Sequence, residues 1–169
     1  MPVTGTATSA AWSDYPNLFH SGSLFDKVGT TVFGDFVRAQ DGRRALIVVD
    51  PNVPTSSSLA GQLVPSLASR GIELAGEVTF TEGATSAALV ADQLKKSGAN
   101  TLIGAAQPGP FIDIYAQTKA LRVKLNVALN SSGTSPSLVA QRGADMAGRT
   151  IMSPVAAHGS PARAATRRR

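Results

Sequence analysis

The sequence predicts a parallel α/β domain of three layers, with helices on both faces of a single sheet, on three observations. From Arg43 onward, short apolar runs alternate with longer amphipathic stretches, which is the pattern of βαβ units. The first clear run, Ala45 to Val49, reads Ala-Leu-Ile-Val-Val and is continuous rather than alternating, as a strand covered on both faces requires. The chain has 169 residues, enough for one domain with a sizeable core and too few for two full lobes with their connections.

The elements follow in order. Residues Thr4 to Ser13 are small and polar, and Tyr15 to Ser21 form a mixed segment. A helix is predicted from Phe25 to Val37, its apolar face made by Phe25, Val28, Val32, Phe33, Phe36 and Val37 and weakened by Gly29 and Gly34. The strand Ala45 to Val49 ends at Asp50 and Pro51. Ser56 to Ser69 places Leu59, Leu63, Val64 and Leu67 at helical spacing, with Gly71 as the stop and a kink expected at Pro65. A second strand, Glu73 to Thr81, leads to Gly83. After it Leu89, Val90 and Leu94 recur at helix period until Lys95, Lys96 and Gly98 close the segment. Thr101 to Ala105 is the next strand, Phe111 to Leu121 the next helix and Leu125 to Leu129 another strand. A short helix from Ser135 to Asp145, capped by Ser135 or Thr134, precedes a last strand from Arg149 to Met152, which ends before Pro154. The sheet should therefore hold at least five strands. Ala156 to Arg169 has Gly, Ser, Pro, Ala and Arg without periodicity and is expected to be disordered.

The composition narrows the function. The formal net charge is +5, but Arg163 and the run Arg167, Arg168, Arg169 supply much of it, so the body is nearly balanced. Aromatic residues are 5% of the chain, which leaves little to stack nucleic-acid bases, and no nucleic-acid partner is expected. With no cysteine there is neither a disulfide framework nor a thiolate metal site. Residues 1 to 14 hold no apolar run of the kind a secretory signal needs, and no stretch approaches the roughly 20 apolar residues of a membrane helix.

Catalytic patterns are thin. The histidines are His20 and His158, and a constellation of His20 with Ser21 and Asp26 matches no nucleophile elbow. Neither G-x-G-x-x-G nor G-x-x-x-x-G-K-[ST] is present, so no nucleotide fingerprint, cofactor or metal site is read, and no enzyme activity is expected. Asp50 follows the first full strand and could resemble a receiver domain's acceptor, but it reads better as a turn residue. Ligands of open parallel sheets bind at the carboxyl ends of the strands, which makes Asp50 to Ser56, Ala105 to Pro110 and Asn130 to Ser135 the candidate loops. Their hydroxyl and amide groups either meet a ligand or cap the helices that follow.

Several stretches, taken together and in order, resemble the type I periplasmic binding proteins, the leucine/isoleucine/valine-binding class of ABC-transporter receptors. Tyr15-Pro16-Asn17-Leu18-Phe19-His20-Ser21-Gly22 resembles the family's segment leading into the second lobe, and Asp26 to Val37 the helix after it. Arg44 to Asp50 is similar to the strand Lys-x-Val-Ala-Ile-Val-x-Asp. Val90-Ala91-Asp92-Gln93-Leu94-Lys95-Lys96-Ser97-Gly98-Ala99-Asn100 is similar to the step LKxAGAD, and Ala147-Gly148-Arg149-Thr150-Ile151-Met152-Ser153-Pro154 to AEGVxxTxP. The resemblance covers about residues 2 to 155.

It implies a Rossmann-like or flavodoxin-like three-layer lobe of the periplasmic binding protein type I fold, the second lobe of a receptor with two. Residues 1–13 would be the remnant of the inter-lobe and first-lobe segment, 14–155 the ligand-binding lobe and 156–169 a basic tail. The implied role is solute binding in the inter-lobe cleft, with a membrane permease and an ATPase as partners and a periplasmic or cell-surface location. Thr6 and Thr8 stand where the family's inter-lobe loop grips a ligand. The positions of two tyrosines and an acidic residue in the family's second lobe are here Pro54, Gln107 and Ser131, which departs from an α-amino acid site. The resulting expectation is a neutral or anionic solute contacted by Thr6, Thr8, Asn52, Gln107, Asn130 and Ser131. The alternative is a small flavodoxin-like enzyme or regulatory domain that shares only the fold. A single lobe should also leave sheet edges and helix faces open, which favours a homo-oligomer.

Overall fold

A computed structural model describes residues 3–7, 14–23, 31–130, 134–148 and 150–151, and the structural statements below concern these residues. Two short strands, β1 (Val3–Ala7) and β2 (Leu18–Ser23), pair in parallel with an irregular step between Gly5 and Thr6. Helix α1 (Val32–Ala39) then leads into β3 (Arg44–Val49), α2 (Pro54–Ala68), β4 (Glu73–Thr79), α3 (Ala87–Ser97), β5 (Thr101–Ala105), α4 (Pro108–Ala120), β6 (Val127–Asn130), α5 (Pro136–Met146) and β7 (Thr150–Ile151). The last five strands form one all-parallel sheet in the order β4-β3-β5-β6-β7, so the five expected strands are present.

The two faces of that sheet follow from strand alternation. Ala45, Ile47 and Val49 point to one face and pack with Phe33 and Val37 of α1 and Leu59, Leu63 and Leu67 of α2. Leu46 and Val48 point to the other, with Val90 and Leu94 of α3 and Phe111 and Ile114 of α4. Burial on both sides explains why the sequence of β3 is aliphatic throughout. Helix α5 lies beside α4, where the Arg142 guanidinium reaches Asp113 at 2.8 Å and Asp145 at 2.7 Å, and the Tyr115 hydroxyl donates to the Ala147 carbonyl at 3.0 Å. Asp113 first, and then Asp145, hold the Arg142 guanidinium still more firmly protonated than usual.

Several boundaries and roles differ from expectation. Of the helix predicted from Phe25 to Val37, residues 25–30 lie outside the described residues. The described helix runs from Val32 to Ala39, and Val32 is 66% exposed rather than part of the core face. Gly34 is not a weak point of that helix. Its N–H donates to Ser66 Oγ at 3.0 Å, and a Cβ there would overlap the Ser66 carbonyl oxygen, so glycine is what allows α1 to approach α2. Pro65 sits inside α2, but helical non-conformity appears instead in α5, at Arg142 (φ −122°, ψ 17°). Ser135, not Thr134, caps α5, accepting from the Leu138 N–H at 3.2 Å. The expected disordered tail and its arginines lie outside the described residues.

Candidate functional site

The sheet order locates a crevice. From β3 the chain steps outward to β4 and then crosses back past β3 to β5, so the loops after β3 and β5 leave the sheet on opposite faces and part at their carboxyl ends. The loop after β3 is a tight turn built on Asp50, whose Oδ1 accepts the Asn52 N–H at 2.9 Å. That is the turn role expected of this buried aspartate, and it leaves its carboxylate facing its own backbone.

Ser56 joins the two loops. In the first turn of α2 and almost wholly buried, its hydroxyl accepts the Asp50 N–H at 2.9 Å and donates to the Ala105 carbonyl oxygen. The loop after β3 is thereby pinned to the end of β5. The sequence analysis placed Ser56 in a candidate loop without a role of its own. A small hydroxyl two residues past a helix-opening proline, at the end of a buried strand, is the signal that could have singled it out.

The side chains of Asn52 and Gln107 are exposed at the tips of these pinned loops. Gln107 is the N-cap residue of α4 but makes no side-chain cap bond, so its amide remains available to a ligand. Asn130 is different. It ends β6 opposite Gly104 of β5 and is fully buried, so it lies behind the crevice rather than on its rim. Gly104 itself is required by close approach, because a Cβ would stand 2.6 Å from Phe111 Cε2 and 2.9 Å from Asn130 Oδ1. Thr6 lies on β1, and its side chain is outside the described residues, as are Thr8 and Ser131 entirely. The structure thus places Asn52 and Gln107 on the two loops that Ser56 joins, buries Asn130 at the end of β6, and leaves the other three expected contacts undescribed. His20 lies on β2, and its side chain too is outside the described residues.

The loops of this edge carry no cation. The loops 50–56, 80–86, 105–110 and 130–135 contain no lysine or arginine, and their acidic residues are the internally bonded Asp50 and the exposed Glu82. Helix N-termini could still offer N–H donors to an anion. Here α2, α4 and α5 begin with Pro54, Pro108 and Pro136, which have none, and Pro110 removes another from α4. Among the described residues no cluster of metal-ligating side chains occurs, and no helix is long and apolar enough to cross a membrane.

The fold is similar to a type 1 periplasmic binding protein from Bordetella pertussis Tohama I at 15% identity and a TM-score of 0.74, covering 98% of this chain and 46% of that one. It is similar to a branched chain amino acid ABC transporter protein from Thermus thermophilus with bound valine, at 18% identity and a TM-score of 0.71 over 95% of this chain and 43% of the other. A solute binding protein of an ABC transporter from Rhodopseudomonas palustris HaA2, in complex with p-hydroxybenzoic acid, shares 15% identity at a TM-score of 0.59, covering 74% and 34%. The chain therefore spans less than half the length of these structures. No curated protein sequence matches significantly. The sequence does match the family described as periplasmic binding protein over residues 1–169, and the chain belongs to that family.

Proposed function

We propose that the chain is a ligand-gripping lobe of a periplasmic or cell-surface solute receptor of the branched-chain amino acid ABC-transporter type, acting with a permease and an ATPase and performing no chemistry on its solute. The solved neighbours hold a free amino acid in one case and an aromatic acid in another, so the fold admits both and the loops must choose. The observation that carries the choice here is the pair of exposed amides, Asn52 and Gln107, on loops pinned at the switch point and free of any cation. A carboxylate would find no cation in the loops of this edge and few free helix N–H groups. An ammonium would find no carboxylate on the two pinned loops, since Asp50 is turned inward and Glu82 lies on the separate loop after β4. Desolvating either charge without a partner is unfavourable, which selects a small neutral solute, or the uncharged end of a larger one, bound by hydrogen bonds. Asn52 and Gln107 are the direct contacts in this reading, Asn130 forms the floor, and Thr6, Thr8 and Ser131 complete the set.

The test is a thermal-shift screen of the chain against amides, polyols, amino acids and aromatic acids. A ligand at tenfold its Kd adds about 1.4 kcal/mol of stability, or roughly 3 to 6 °C in Tm. The reading expects shifts from neutral amides or polyols that shrink in Gln107→Ala. Shifts confined to charged amino acids, or turnover of any compound, would refute it.

A further inference from the structure

Helices returning antiparallel to their strands carry their C-terminal ends to the amino edge of the sheet, opposite the crevice, and the basic residues gather there. Arg38 and Arg43 flank the turn from α1 to β3, Lys95 and Lys96 close α3, and Arg122 and Lys124 occupy the turn from α4 to β6. These three turns are fastened together. The Asp41 carbonyl accepts from the side-chain amides of Asn100 at 3.2 Å and Asn126 at 3.1 Å, and Asn100 Oδ1 accepts the Arg43 N–H at 2.9 Å. Their side chains therefore form one pole. Arg43 and Lys96 pair with Asp41 and Asp92, whereas Arg38, Lys95, Arg122 and Lys124 are exposed and have no acidic partner among the described residues.

Cations at helix C-termini often do no more than complement the helix dipole. Arg122 needs a further reason. Each of the five helix-to-strand turns at this edge places one residue in the left-handed region: Asp41 (φ 59°), Gly71 (φ 66°), Gly98 (φ 67°), Arg122 (φ 57°) and Gly148 (φ 84°). Glycine adopts that conformation without steric cost, and a residue with a Cβ does not. Arg122 thus keeps a long, exposed and unpaired cation at a position where glycine would fold more easily, and backbone strain held in this way points to a task outside folding.

We infer that this amino-edge pole is a contact surface for an anionic phospholipid bilayer. The cations are distributed over three neighbouring turns, and these turns contain no aromatic side chain on which a nucleic-acid base could stack. The contact leaves the opposite edge, and any solute there, unobstructed. It stands independently of the proposed solute.

The experiment is flotation of the full chain with phosphatidylcholine vesicles, with and without phosphatidylglycerol, at low and at raised salt. Binding should require phosphatidylglycerol and weaken with salt. At about fivefold per surface charge, Arg122→Gly and Lys124→Ala should each lower partitioning roughly fivefold, and the double variant about 25-fold. Arg163 and Arg167 to Arg169 are unchanged in every variant, so their contribution is common to all. Arg122→Gly should also keep or raise Tm, which a merely structural arginine would not allow. The inference is overturned if the double variant binds like the parent, if Tm falls with Arg122→Gly, or if duplex DNA binds as tightly with the same dependence on Arg122 and Lys124.

Discussion

Replacing Gly104 with alanine tests how the core and the candidate site share one strand. The added Cβ would stand 2.6 Å from Phe111 Cε2, closer still to Cδ2, and 2.9 Å from Asn130 Oδ1. None of these atoms can yield easily. Phe111 is fully buried among Leu46, Val48, Leu102 and Ile114, and β5 is held on both sides by β3 and β6. Overpacking a well-filled core costs about 1 to 3 kcal/mol, and the fixed ring puts this site at the upper end. Reduced freedom of the unfolded chain returns about 0.4 to 1 kcal/mol, which leaves a net loss of roughly 2 kcal/mol. For a domain of this size that lowers Tm by about 4 to 8 °C in calorimetry. Adding Phe111→Leu should make room, so the double variant should be less destabilised than the two single losses summed. A Gly104→Ala protein as stable as the parent, or strict additivity with Phe111→Leu, would refute this account.

Ser56→Ala removes the two side-chain bonds that pin the β3 loop to β5, leaving the longer bond from the Asp50 N–H to the Ala105 carbonyl at 3.4 Å, and should cost about 1 to 3 kcal/mol, with faster hydrogen exchange at the Asp50 amide; unchanged exchange there would show that the backbone bond alone holds the loop. Asn130→Asp puts a carboxyl in a fully buried place, where desolvation raises its folded-state pKa. The variant should approach parental stability at low pH and lose stability as pH rises above the ordinary carboxylate range, and a loss independent of pH would argue that the place is wet. The Asp35 carboxyl is held below its ordinary range, first by its bond from Arg70 and then by that from Thr31. A depressed carboxylate stabilises above its unfolded pKa and ceases to as pH falls through the folded one, so the Tm difference between parent and Asp35→Asn should shrink in acid and in high salt. A difference constant across that range would exclude the charge as its source.

The central strands were legible because burial on both faces favours nearly continuous apolar runs, and Thr101 to Ala105 was placed to the residue. Helix starts were less so, for a single reason. Helices expected from Ser56 and Phe111 begin at Pro54 and Pro108, since a proline opens a helix at a position where its missing N–H costs nothing. Gly34 and Gly104 were illegible in a different way. Their necessity arises from atoms remote in sequence, the Ser66 carbonyl and the Phe111 ring, and local propensity counts such glycines only as defects. The same limit applied to the site. Strand ends pointed to Asn52, Gln107 and Asn130, but whether a strand's last residue faces the crevice or the interior depends on register, which sequence spacing resolves only to within a residue.

The two edges of the sheet divide the polar work between them. At the amino edge, long cations lie over turns whose backbones are held by the amides of Asn100 and Asn126, so charge is displayed on a fixed frame. At the carboxyl edge, prolines remove helix donors, Asp50 spends its carboxylate on its own turn, and Ser56 fixes the spacing of the loops. Under the proposed function, a ligand there would meet short amides on a rigid base. Neutral hydrogen bonds contribute only about 0.5 to 1.5 kcal/mol each, so no single contact from this lobe can secure a solute. Discrimination must come from several such bonds satisfied together, and a solute that leaves one buried amide unpaired forfeits more than the bond itself would have contributed. A lobe built this way would select by shape and hydrogen-bond pattern, and it would need an opposing surface to exclude water before that selection became strong.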